Sequence, residues 1–144
     1  MQNRSADLEI PAYGAQCLDC ETIFNYPSFG QHSYGRFIFN SACGQHYQYF
    51  SISNPVTKLV EVLLPENCHP VGFQSTLAAV ADLVHGEALQ ITTKCPKCRS
   101  EKLASCGEAS TGILMVKAAQ YEGLLNLSRN ELIRKVQAVY RELS

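Results

Sequence analysis

Cys17-Leu18-Asp19-Cys20 and, after a spacer of 74 residues, Cys95-Pro96-Lys97-Cys98 are the two stretches from which this sequence is best read. Each is a Cys-x-x-Cys pair, and a two-residue spacer lets one tight turn aim both sulfurs at a single point. A structural Zn²⁺ takes four tetrahedral ligands, with sulfur at about 2.3 Å, and thiolates suit it well. Two such turns, brought together by strands, complete a cage of four sulfurs. The matched spacing therefore predicts one site from Cys17, Cys20, Cys95 and Cys98, structural in role because four protein ligands leave no open position for water or substrate. Metal binding would then be part of the folding free energy, and removing the metal should loosen the whole domain.

The rest of the composition sets bounds. The chain has 144 residues, 46 % of them apolar and 17 % charged, with a formal net charge of -1. That balance suits a globular chain with a core of its own and argues against disorder or a surface that coats nucleic acid throughout. The N-terminus is polar, and the most apolar segments, residues 59–64 and 77–84, each contain an acid. A membrane-spanning helix needs about 20 apolar residues, so no membrane segment is expected. Seven cysteines, an odd number, without a secretory core point to a reducing, cytoplasmic setting in which paired cysteines mean metal or redox chemistry.

Along the chain, residues 1–16, with Pro11 and Gly14, read as an irregular leader. Residues 36–39 and 47–52 have the aromatic, β-branched bias of strands, with a turn over 41–44. Residues 57–64 alternate in part and read as a further strand, and 65–72, with two prolines, as a loop. Ser75 offers an N-cap for a helix presenting Leu77, Val80, Ala81 and Val84, with His85 at its C-terminal end and Gly86 at the C-cap. Residues 88–93 and 112–118 read as strands. Ser128-Arg129-Asn130-Glu131 is a capping box, after which Leu132, Ile133, Val136, Val139, Tyr140 and Leu143 form one apolar stripe. The mixture predicts an α+β fold with a small antiparallel β-sheet, one inserted helix and a C-terminal helix at about 128–143.

The two cysteine pairs resemble the zinc ribbons, in which one Cys-x-x-Cys knuckle sits on each of two β-hairpins and the second often reads Cys-Pro-x-Cys, as Cys95-Pro96-Lys97-Cys98 does. The resemblance implies ligation of one zinc ion by Cys17, Cys20, Cys95 and Cys98, with a strand after the second knuckle. It covers only the knuckles and their flanks. Two features depart from it: Glu21 and Arg99 stand where such ribbons often carry glycine, and residues 21–94 must form a folded insert.

Residues 89–103 can also be read as a strand, a dithiol and a helix start, similar to the glutaredoxin active-site region, where a helix N-terminus lowers the first thiol's pKa. That fold implies a cis-proline after the dithiol, but no proline follows Cys98 and only 46 residues remain. Cys43 with His46 and Cys68 with His69 would form a second metal site only through tertiary contacts; together with Cys106 they are simpler to read as partly buried thiols and surface histidines. His32 lies in a Gly- and Ser-containing loop without a distinct signal, and His85 reads as a favourable charge at a helix C-terminus.

Charge is uneven: residues 1–93 carry a balance of -5 and residues 94–144 a balance of +4. Lys94, Lys97, Arg99 and Lys102 crowd the second knuckle, as a phosphate-contacting edge would require, or as cations offsetting four thiolates on one dication. Eleven of thirteen aromatics, among them Tyr13, Tyr26, Tyr34, Phe37, Phe39 and Phe50, precede residue 74 and are expected in the sheet core. The sequence thus predicts a single zinc-ribbon-like domain over 1–144, with an insert at about 21–94. It would bind one structural Zn²⁺ and serve as an interaction or adaptor protein for another protein, with no catalytic activity of its own. The alternatives are a nucleic-acid-binding ribbon that uses the basic second knuckle and a thiol-disulfide oxidoreductase that uses Cys95 and Cys98.

Overall fold

The computed structural model describes residues 7–30 and 35–143. The first six residues of the expected leader, His32 and Tyr34 lie outside the described residues. The fold is α+β: among the described residues, seven strands form one sheet of order β2-β1-β7-β4-β3-β5, with β6 also on β1, and there are four helices. The strands are β1 (Leu8–Cys17), β2 (Ile23–Pro27), β3 (Arg36–Ser41), β4 (Tyr47–Ser51), β5 (Leu89–Gln90), β6 (Leu103–Ser105) and β7 (Gly112–Ala118). The helices are α1 (Val56–Glu61), α2 (Pro70–Ala79), α3 (Glu122–Leu125) and α4 (Arg129–Leu143). All neighbouring strands are antiparallel except β4 and β7, which run parallel over Gln48↔Lys117 and Tyr49↔Ala118.

The expected irregular leader is instead a central strand. β1 pairs with β2 on one edge, and with β7 and then β6 on the other. Pro11, which argued against a strand, is accommodated because its carbonyl faces the β2 edge, where it accepts from the Ser28 N–H at 3.1 Å. Its missing N–H would face that same edge, just past the end of the ladder at Ala12↔Pro27, so no ladder bond is lost.

Residues 57–64 form no strand. Asn54 Oδ1 accepts the Val56 N–H at 2.9 Å, Thr57 N–H bonds the Asn54 carbonyl, and α1 follows. Val56 and Val60, four apart, are both buried, the spacing of a helix face. The inserted helix also starts earlier than Ser75. His69 Nδ1 accepts the Val71 N–H at 3.1 Å as the N-cap, and Pro70 occupies the first turn, where a missing N–H costs nothing. Proline read as a loop signal there was in fact a helix-start signal. α2 ends at Ala79, so His85 and Gly86 cap no helix. They form the turn between Val84 and Glu87, with φ of 51° and 81°, the left-handed pair that a two-residue hairpin turn requires. The strand expected over 88–93 is reduced to Leu89–Gln90, and the expected single inserted helix becomes two, α1 and α2.

The capping box is as the sequence implies: Ser128 N–H donates to Glu131 Oε1 at 3.0 Å, and Glu131 N–H to Ser128 Oγ at 3.2 Å. α4 then lays Val136, with Leu132, Val139 and Tyr140, on the core. That core sits between the helices and the β3–β4 hairpin. Phe50 is its hub, 5.8 Å from Phe39 and edge-on to Tyr121 at 5.7 Å, whose hydroxyl donates to the Leu77 carbonyl at 2.6 Å. α2 and α4 meet closely at Gly72, where a Cβ would lie 3.2 Å from the Tyr140 ring. On the other flank Ile10, Ala12, Ala15 and Val116 are buried without joining this core.

Candidate metal centre

The two Cys-x-x-Cys segments fold as near copies of one turn. Cys17 ends β1 and starts the first turn: its N–H bonds the Thr22 carbonyl at 2.9 Å and its carbonyl accepts the Glu21 N–H at 2.9 Å. In the second turn the Cys95 N–H bonds the Ser100 carbonyl at 2.9 Å, and the Cys95 carbonyl accepts the Arg99 N–H at 2.9 Å. Backbone N–H groups point at the first sulfur of each: Asp19 and Cys20 on Cys17 Sγ, and Lys97 on Cys95 Sγ, all at 3.4 Å. Glu21 and Arg99, the residues after each pair, both stand at φ 67°. The turn thus demands a left-handed residue there, which accounts for the glycine often found in zinc ribbons and makes these two side chains strained departures from it.

Strand pairing brings the turns face to face. β6, just after the second turn, pairs Leu103 with Cys17, the Leu18 N–H bonds the Lys102 carbonyl at 2.8 Å, and Ser100 Oγ donates to Asp19 Oδ2 at 2.6 Å. Cys17 Sγ then lies 3.5 Å from Cys98 Sγ, and Cys20 Sγ lies 3.5 Å from Cys95 Sγ. All four sulfurs fall within 4.8 Å of one another. A regular tetrahedron with metal–sulfur bonds of about 2.3 Å has edges of about 3.8 Å, so this set can hold a metal ion with little adjustment. All seven cysteines are free.

The electrostatics of the cluster suit a cation. The Thr22 hydroxyl and N–H hold the Cys20 thiol down to about 6. The Cys20 N–H, helped by that of Asp19 and opposed by burial, draws Cys17 below the ordinary thiol range. The Ser100 N–H pulls Cys98 the same way, but contact with Cys17, burial, and the nearby Cys20 and Cys95 outweigh it and push Cys98 up to about 12. Thiolates so close repel one another; a dication at their centre removes that repulsion and lets all four ionise.

A shell that the sequence did not reveal supports the second turn. Gly44, at φ 79°, passes so near that a Cβ would lie 2.8 Å from the Lys94 carbonyl and 2.9 Å from that of Cys95. Asn40 Oδ1 accepts the Lys94 N–H at 3.1 Å, and Gln45 Nε2 donates to the Pro96 carbonyl at 3.2 Å. Glu87 accepts the Cys43 N–H at 2.8 Å and lies 3.7 Å from Arg99. The only advance signal was Gly44, in the turn expected over 41–44.

Among the described residues the other cysteines and histidines, Cys43, His46, Cys68, His69, His85 and Cys106, stay apart from this cluster, and there is no second group of metal-binding side chains. Cys43 is buried beside Ser41 Oγ, and His46 stacks on His85 with ring centroids 4.1 Å apart. Cys68 and the N-capping His69 lie at the start of α2, and the exposed Cys106 lies over Gly14. After Cys98 the chain enters β6, and no helix starts in the described residues there, unlike a glutaredoxin active site. No helix among the described residues is long and apolar enough to cross a membrane. Compared with known proteins, the chain matches no family model, no curated protein and no solved structure.

Proposed function

We propose that this chain is a zinc-binding interaction or adaptor protein, in which Cys17, Cys20, Cys95 and Cys98 ligate one structural Zn²⁺ in a zinc-ribbon-like arrangement. The observation that carries this reading is the meeting of two like turns with all four sulfurs within 4.8 Å. With every position of a tetrahedral ion taken by protein, such a site supplies structure rather than catalysis. Residues 21–94 then form an insert that supports the second knuckle through Asn40, Gly44 and Glu87, within a single unit spanning the chain. Free thiols throughout suit a reducing compartment, and we place the protein in the cytoplasm.

The two alternatives draw less support. Of the four cations around the second knuckle, Lys94 lies 3.8 Å from Glu101 and Arg99 lies 3.7 Å from Glu87, which leaves fewer charges for a nucleic-acid backbone. For a redox dithiol the wrong features are present: Cys95 is buried, and Cys98 is pushed up rather than down. Elemental analysis and a free-thiol count on protein purified without added metal decide among these. One zinc per chain, lost when Cys17 and Cys98 become Ser, fits the proposal; no metal with freely reactive Cys95 and Cys98 overturns it in favour of redox chemistry.

A further inference from the structure

Two shortages meet beside the second cysteine turn. Cys17 Sγ, the first sulfur of the first turn, receives two backbone donors, the Asp19 and Cys20 N–H groups. Cys95 Sγ, its counterpart, receives one among the described residues, from Lys97. Cys95 is fully buried, so bulk water does not make up the difference. The opposite shortage is a donor with nowhere to donate: the Tyr47 hydroxyl is enclosed and has no hydrogen-bond partner among the described residues. A polar group left unpaired away from water costs free energy, so the hydroxyl calls for an acceptor.

Strand pairing sets that hydroxyl on the side of the metal centre. Tyr47 of β4 stands opposite Asn40 of β3, and residues directly opposite one another share a face of the sheet. From that face Asn40 Oδ1 accepts the N–H of Lys94, one residue before Cys95, at 3.1 Å. Asn40 Nδ2 donates to the His46 carbonyl at 3.0 Å, so both ends of the neighbouring amide are committed. The Cys95 sulfur acts on the phenol. Burial, with charge on Cys95 as the smaller cause, pushes the Tyr47 hydroxyl up to about 12, and the group keeps its proton at neutral pH. Gln90 of β5, on the other side of Asn40, carries a second enclosed donor, Nε2, that lacks a partner among the described residues. Nothing among them ties that amide to a sulfur.

We infer that Tyr47 is a positioning residue of the metal centre: in the metal-loaded protein its hydroxyl donates to the Cys95 sulfur and supplies the donor that this ligand lacks relative to Cys17. Four thiolates on one dication leave net negative charge on the sulfurs, and a donor that takes up part of it strengthens the site. The contact ties β4 to the second turn, as Asn40 ties β3. The inference rests on the metal reading above and adds one residue to it.

Two readouts on the full chain test it: zinc affinity by competition with a chromophoric chelator, and the sulfur-to-cobalt charge-transfer band of the Co²⁺-loaded protein. Tyr47→Phe keeps the ring and removes only the hydroxyl. It should weaken zinc by about tenfold or more and move the band to lower energy, because a sulfur that loses a donor holds its electrons less tightly. Were the hydroxyl unpartnered in the loaded protein, the same change would not weaken zinc at all, so the sign of the effect decides. Tyr121→Phe removes another buried phenol, the one bonded to the Leu77 carbonyl, and should lower stability while leaving the band in place. Unchanged affinity or an unshifted band in Tyr47→Phe overturns the inference, as does an equal shift in Tyr121→Phe, which would report loosened packing. So does a shift in Gln90→Leu that is absent in Tyr47→Phe, since the amide would then be the donor. A parent chain that binds neither metal sinks the Cys₄ reading. A parent that binds both, with Tyr47→Phe indistinguishable from it, sinks only the role of the hydroxyl.

Discussion

On the β3–β4 side of the sheet, Phe39, Phe50, Leu77, Leu124 and Val136 are buried in one continuous core beneath four helices. On the β1 side, the buried residues are mostly small, Ala12 and Ala15 among them, and the end of β1 is fastened to β6 through two cysteine turns. The first region is stabilised by apolar area removed from water, and it scales with side-chain size. The second has little such area; its turns are held by backbone hydrogen bonds aimed at sulfur, and the four sulfurs are close enough to share a cation. One chain thus solves the same problem twice. Where large side chains are available they pack, and where they are not, two cysteine turns meet in a cluster that could hold a metal ion.

That contrast can be broken most severely at the cage. Cys17→Ser with Cys98→Ser, or a strong chelator, should remove the metal and unfold the β1 side, because the binding free energy of a structural zinc, on the order of 10 kcal/mol, is folding free energy for the region it fastens. Thermal melts with and without zinc measure this, and identical melts for both proteins would count against a folding role. Phe50→Ala strikes the other region: it should cost about 3–5 kcal/mol in denaturant unfolding while leaving one metal per chain. Loss of metal at equal protein folding would show that the regions are less separate than argued.

Smaller changes sharpen the comparison. Ser128→Ala removes half of the α4 capping box and should lower stability by about 1 kcal/mol without altering metal affinity. Glu21→Gly relieves a left-handed residue in the first turn and should stabilise by up to about 1 kcal/mol, whereas Glu21→Val should destabilise. Equal effects of the two would contradict the strain at φ 67°. The smallest effect lies at Glu87, whose carboxyl is held below the ordinary range by the Cys43 thiol and N–H and by Arg99. A depressed folded value means that its stabilisation is present above the ordinary carboxylate range and is lost as pH falls through the folded pKa. Glu87→Gln should flatten that part of a stability-versus-pH curve.

The two cysteine turns and the capped start of α4 were legible from the sequence because each is encoded locally: two residues between cysteines, or Ser128 followed three later by Glu131, mark a turn without tertiary help, and the matched spacing of the two pairs suggested their meeting. β1 was not legible, since Pro11 is tolerated only because β2 stops at Pro27, a fact of pairing rather than of propensity. α1 was hidden by the partial alternation of residues 57–64, and the start of α2 by Pro70, which begins a helix here rather than marking a loop. The support from Asn40, Gly44 and Glu87 depends on contacts across more than forty residues, and only the glycine left a mark in the sequence.

The most direct test is hydrogen–deuterium exchange of the zinc-loaded chain before and after chelation. The account expects β1, β2, β6 and both cysteine turns to lose protection together, while β3, β4, α2 and α4 retain theirs. Unchanged exchange at Cys17–Thr22 and Cys95–Ser100, or uniform loss across the whole chain, would contradict a metal-fastened region set beside a self-sufficient core.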